Sequence, residues 1–147
     1  MNTNSTATGR YEYVQRDYLV RATVTPNDAS FSRQWALAND GTNNGITGAD
    51  IKATAAWDVR TDASSVIVAV IDSGVKLDHP DLTENLWRNP REIPGNGRDD
   101  DGNGYIDDVN GINAITNSGN PNDDQGHGTH VAGIVGAVGN NGQGVSG

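Results

Sequence analysis

Asp72, in VIDSGV, and His127, in GHGTHVAG, lie 55 residues apart and are of types that cooperate in hydrolytic chemistry. An imidazole can take the proton of a hydroxyl nucleophile, and a carboxylate can hold the ring in one tautomer and stabilise the imidazolium. Neither residue decides the matter alone. Asp72 equally well caps a turn that Ser73 and Gly74 complete, and a histidine in an acidic loop is ordinarily a surface residue. His127 and His130 form an i, i+3 pair, but the glutamate of a zinc-binding HExxH helix is missing between them, which argues against a metallohydrolase.

A second group of residues suits a hard cation. Residues 99–110 read DDDGNGYIDDVN. Counted as a twelve-residue EF-hand-type loop, they offer Asp99, Asp101 and Asn103 at positions 1, 3 and 5. Gly104 then falls at 6, the Tyr105 carbonyl at 7 and Asp107 at 9. Position 12 is Asn110 where a bidentate glutamate is expected, and Asp108 is placed to compensate. Carboxylates crowded between glycines repel one another without a cation, so the loop is read as a calcium site, with a solvated acidic loop as the alternative.

Elements must hold these groups. Residues 66–71 (VIVAVI) form a continuous apolar run, as expected for a strand buried on both faces of a parallel sheet, and Asp72 follows it directly. Catalytic groups of open α/β sheets collect at such carboxyl ends. Val131, Ile134, Val135 and Val138 make one apolar helical stripe in HGTHVAGIVGAV, with Ala132, Gly133 and Gly136 leaving a small face. A further short helix is expected over residues 49–58, and a strand with an extended connector over residues 11–24. The polar stretch 89–125 is too long for an ordinary connection. A buried strand followed by such a helix predicts an α/β protein.

Bulk properties narrow the classes. The 147 residues carry 19 acidic against 10 basic side chains, a net charge of −9, which disfavours nucleic acid and anionic membranes as partners. The absence of cysteine excludes disulfides and thiolate chemistry. No apolar run approaches the ~18 residues of a membrane span, and residues 1–10 contain no signal-peptide core.

Together, VIDSGV and GHGTHVAG resemble the aspartate and histidine motifs of the subtilisin-like serine proteases, in that family's order, and the likeness runs from about Tyr11 to Gly147, nearest the calcium-dependent, thermitase-like branch. The resemblance implies a subtilisin-like parallel sheet with flanking helices, truncated here. It implies peptide-bond hydrolysis, with Asp72 orienting and His127 acting as general base and acid. His130 and His79 would be structural. The nucleophile and the oxyanion-hole asparagine would lie beyond residue 147, since Ser146, in GVSG, does not resemble the nucleophile motif. Residues 1–24 would be a leader and propeptide tail, and residues 25–147 the first part of the peptidase domain. The resemblance also implies a second calcium site, built from Asp28, Asp81, Asn141 and the carbonyls of Val138, Gln143 and Val145. The expected partners are a polypeptide substrate and the protein's own propeptide, and the expected location is extracellular.

Overall fold

A computed structural model describes residues 25–147, so the strand expected over 11–24 lies outside the described residues. Two α-helices are present among them, α1 (Ala53–Trp57) and α2 (His127–Gly136), with 3-10 turns at Phe31–Arg33 and Thr42–Asn44. Helix α1 is shorter than expected. The Asp50 carboxylate accepts the amides of Lys52 and Asn39, and Lys52 sits at φ 60, so the helical path opens only at Ala53. Three alanines then favour the helix.

Helix α2 begins at His127, behind a left-handed Gly126 (φ 92). It ends at Gly136, so Val138 of the expected stripe lies past it. Ile134 and Val135 are 62% and 47% exposed.

The run 66–71 departs from expectation. Among the described residues no β-ladder includes it, and Val66, Ile67 and Val68 are between 57% and 67% exposed. A strand exists through a neighbouring strand that takes its amides and carbonyls, and the described residues supply no such strand beside 66–71. Their β pairing consists of two isolated bridges, parallel between Val75 and Asn122 and antiparallel between Asn113 and Ser118.

The interior is more polar than apolar. Among the described residues, Phe31, Ala53, Leu82 and Ala137 are the buried hydrophobic ones, with Phe31 tilted against Trp57 at 6.1 Å. Asp28, Asp81, Asn89, Glu92, Asp108 and Ser146 are buried as well. Most buried polar side-chain atoms are hydrogen-bonded. Backbone bonds also tie distant segments together: the Ser30 amide donates to the Gly144 carbonyl at 2.8 Å, and the Val138 amide to that of Asp81 at 2.8 Å.

Candidate active site

The turn after residue 71 and the start of α2 meet closely because two glycines permit it. Gly74 has φ 120, and a Cβ there would lie 2.5 Å from the Pro121 carbonyl oxygen. A Cβ on Gly128 would lie 2.2 Å from the Gly74 carbonyl oxygen. Only hydrogen fits at either position. Val75 donates to the Pro121 carbonyl at 2.9 Å, and Asp123 to the Val75 carbonyl at 3.2 Å, holding the segment that precedes α2 beside the turn.

This approach sets His127 Nδ1 at 2.7 and 2.8 Å from the two carboxylate oxygens of Asp72. Against an ionised carboxylate Nδ1 carries the proton, which leaves the Nε2 lone pair free to accept one. Asp72 is fixed in turn by the Ser73 amide at 2.7 Å. The Asp72 hydrogen bond, followed by its charge and that of Asp123, raises the His127 pKa above its ordinary 6.5. The same hydrogen bond, with the Ser73 amide, holds Asp72 below its ordinary 3.8. The pair is therefore zwitterionic between those limits. The histidine side chain is 72% exposed and the aspartate 21%, so among the described residues the ring is largely uncovered.

Ser146 is elsewhere. It is buried, and its hydroxyl donates to Asp28 at 2.5 Å while its backbone pairs with the Gln34 amide group. His79 acts locally, its Nδ1 accepting the Asp81 amide at 3.2 Å.

The acidic loop is folded differently from a simple EF-hand count. Oxygens of Glu92, Asp99 and Asp101 lie within 4.8 Å of one another. Glu92 is 7% exposed; its Oε1 accepts the amides of Asp100 and Asp101, and its Oε2 is buried with no hydrogen-bond partner. Asp107 is turned away. At φ 53 it receives the amides of Gly95, Asn96 and Gly97 and is not among the clustered carboxylates. The Asn103 side-chain oxygen takes the Tyr105 amide at 2.8 Å, and its Nδ2 donates to Asp108 at 2.9 Å. Glu92 escaped the sequence reading because it lies seven positions before the loop. The signal for it was the missing glutamate at position 12.

The second expected cation site brings its three segments together. Asn141 donates its amide to Asp28 at 3.1 Å and its Nδ2 to Asp81 at 2.7 Å, while the Val145 amide reaches Asp81 at 2.9 Å. Burial pushes the Asp28 carboxyl upward, but Ser146 and the amides of Asn140 and Asn141 outweigh it and the net shift is downward. N–H and O–H donors thus satisfy both carboxylates. The Gln143 amide takes up the Asn141 side-chain oxygen.

Comparison with known proteins agrees with this geometry. The profile of the Subtilase family (Peptidase_S8) matches residues 63–147, which include both motifs. The chain is 56% identical to "Subtilisin-like protease 1" of Plasmodium vivax over 81 residues, covering 54% of this chain and 13% of that protein. It is 39% identical over 142 residues to an "Extracellular protease" of Xanthomonas campestris, covering 91% of this chain and 23% of the relative. It is 32% identical over 140 residues to "Halolysin" of Haloferax mediterranei, covering 92% and 21%. The chain therefore spans less than a quarter of the length of these relatives. With more than half its length matched by the family profile, and Asp72 and His127 in direct contact, this α/β chain belongs to the subtilase family.

Proposed function

We propose that this chain supplies the orienting carboxylate and the general base of a serine endopeptidase whose nucleophile is contributed from outside these residues. The contact of His127 Nδ1 with both Asp72 oxygens carries the reading. In the proposed reaction the serine hydroxyl attacks a peptide carbonyl while His127 Nε2 takes its proton. The imidazolium, stabilised by Asp72, then returns that proton to the leaving amine, and water releases the acyl group by the same route. The fluorophosphonate test is direct. The longer parent protein should be labelled at one serine, and His127→Ala should abolish labelling; labelling that survives the substitution defeats the assignment.

Residues 1–24 are assigned as leader and propeptide tail, and residues 25–147 as the opening part of the peptidase domain. Its parallel sheet would begin at 66–71, a placement supported by the parallel bridge of Val75 with Asn122. The relatives named as an extracellular protease and a halolysin support secretion. Among the described residues no helix is long and apolar enough to cross a membrane.

Calcium belongs to the same reading, at Glu92, Asp99 and Asp101. The support is the orphaned, buried Glu92 Oε2, which gains a partner when an oxygen-seeking cation is bound. Such an ion would neutralise the cluster and cross-link the loop, taking no part in proton transfer. At the Asp28, Asp81 and Asn141 junction, with the Val138, Gln143 and Val145 carbonyls, the assignment rests on family likeness and on the convergence of the three segments. The metallohydrolase alternative loses support: His127 Nδ1 is committed to Asp72, and the metal-competent cluster among the described residues contains no histidine.

A further inference from the structure

Asp123 lies four residues before His127, and neither the catalytic pair nor the cation cluster uses it. Its Oδ1 accepts the amides of Gln125 and Gly126 at 3.0 and 2.9 Å and the Ser73 hydroxyl at 2.9 Å. Its Oδ2 accepts the amide and hydroxyl of Thr129 at 3.0 and 2.5 Å. Each hydroxyl passes the connection on. Ser73 Oγ accepts the Gly128 amide at 2.9 Å, and Thr129 Oγ1 accepts the Lys76 amide at 2.9 Å. One carboxylate thus joins two segments: residues 73–76, which follow Asp72, and residues 125–129, which contain His127.

The chemistry requires an ionised carboxylate. Five donors converge on two oxygens, and an asparagine would keep one acceptor oxygen while turning an NH₂ toward donors. The Thr129 hydroxyl, then the Gly126 and Gln125 amides, hold the Asp123 carboxyl far below the ordinary carboxylate range. It therefore remains an acceptor across the whole titration of His127. Its distance from the reacting nitrogen is bridged by other groups, so its role is positional.

We propose that Asp123 is the positioning residue of the Asp72–His127 pair, clamping the aspartate turn to the first turn of α2 through the hydroxyls of Ser73 and Thr129. Its importance for turnover rests on the protease reading; its effect on His127 does not.

The test follows the His127 ring by NMR in the ¹⁵N-labelled chain, where a far-downfield Nδ1 proton reports the bond to Asp72. Asp72 and Asp123 are the charged groups acting on that ring. Asp123→Asn should abolish the downfield proton and lower the His127 titration midpoint. Ser73→Ala and Thr129→Val should each weaken the signal, and Thr129→Ser, which keeps the hydroxyl, should retain it. Amide signals at the Asn113–Ser118 bridge monitor folding independently. If Asp123→Asn unfolds the chain, the two hydroxyl deletions decide. An unchanged proton and midpoint in Ser73→Ala and Thr129→Val, with the chain folded, would overturn the clamp. In the parent enzyme the same two deletions should lower kcat by about 10²-fold with KM nearly constant, as expected for an ångström-scale misplacement. Equal losses in binding and turnover would contradict a positioning role. Because the NMR readout needs no nucleophile, failure of fluorophosphonate labelling would remove the protease reading and leave the clamp standing.

Discussion

His127 carries one free nitrogen and one bound to Asp72, and that asymmetry dictates what substitutions do. On the proposed protease function, His127→Ala in the longer parent protein should cost about 10⁶-fold in kcat and Asp72→Asn about 10⁴-fold, magnitudes set by triad precedents. The double variant should be no worse than the histidine variant alone, because base and orienter act as one unit; multiplied losses in steady-state assays would show independent roles. The pH dependence has a defined sign. The raised His127 pKa gives stability that is full below 6.5 and is lost as pH rises through the raised midpoint. The lowered Asp72 pKa gives stability that is present above 3.8 and lost as pH falls through the lowered midpoint. Thermal melts against pH should therefore show a plateau between these limits, and His127→Ala should remove its alkaline edge. Both groups meet solvent, which screens the effect. Turnover needs the neutral ring, so activity should rise with pH through a midpoint above 6.5.

At the scale of the element, the acidic loop and the glycine contact give separate outcomes. Glu92→Gln should abolish calcium binding at the loop, measured by calorimetric titration of chelator-treated protein. Asp107→Ala should leave the stoichiometry unchanged, because its carboxylate serves the amides of residues 95–97. The reverse pattern would restore the EF-hand count and discard the Glu92 cluster. At a hundredfold excess over Kd, binding to the folded state alone stabilises it by about 2.7 kcal/mol, so melts in calcium and in chelator should separate. The turn–helix contact is as sensitive. Gly128→Ala forces a Cβ to 2.2 Å from the Gly74 carbonyl oxygen. Overpacking of this kind costs about 1–3 kcal/mol, and here it also parts Asp72 from His127. A Gly128→Ala protein with unaltered melting and an unaltered His127 Nδ1 proton would show that the contact can relax.

Among the described residues of the molecule, many large apolar side chains lie uncovered. Ile71 and Ile115 are each 97% exposed, and Val66, Ile67, Val68 and Ile134 exceed half exposure. Exposed apolar patches mark surfaces that associate. The isolated 147-residue chain should bind hydrophobic dyes and elute from size exclusion as more than a monomer. A sharp monomer peak without dye fluorescence would show that residues 66–71 are covered in solution. Ile67→Asp should reduce both signals, since it places a charge in the middle of the run.

The two motifs were legible in the sequence because their chemistry is local. VIDSGV sets a carboxylate on a glycine turn, and GHGTHVAG sets a histidine where a helix starts; neither decides the matter alone, and their pairing was anticipated from the resemblance of the two segments, in that order, to the family's motifs. The composition of the acidic loop likewise supports the proposed cation site. Which carboxylates would come together was not legible: folding places Asp107 on the amides of residues 95–97 and buries Glu92, with one oxygen unmet, beside Asp99 and Asp101. Nothing in the spacing distinguished Asp123 from its acidic neighbours, because its five donors come from two segments about fifty residues apart. The apolar run 66–71 showed the opposite limit. Its residue types specify a strand buried on two faces, yet burial belongs to the neighbours and not to the strand. Hydrophobic pattern and turn chemistry are properties of adjacent residues, whereas the partner each polar atom finds is settled only when distant segments meet.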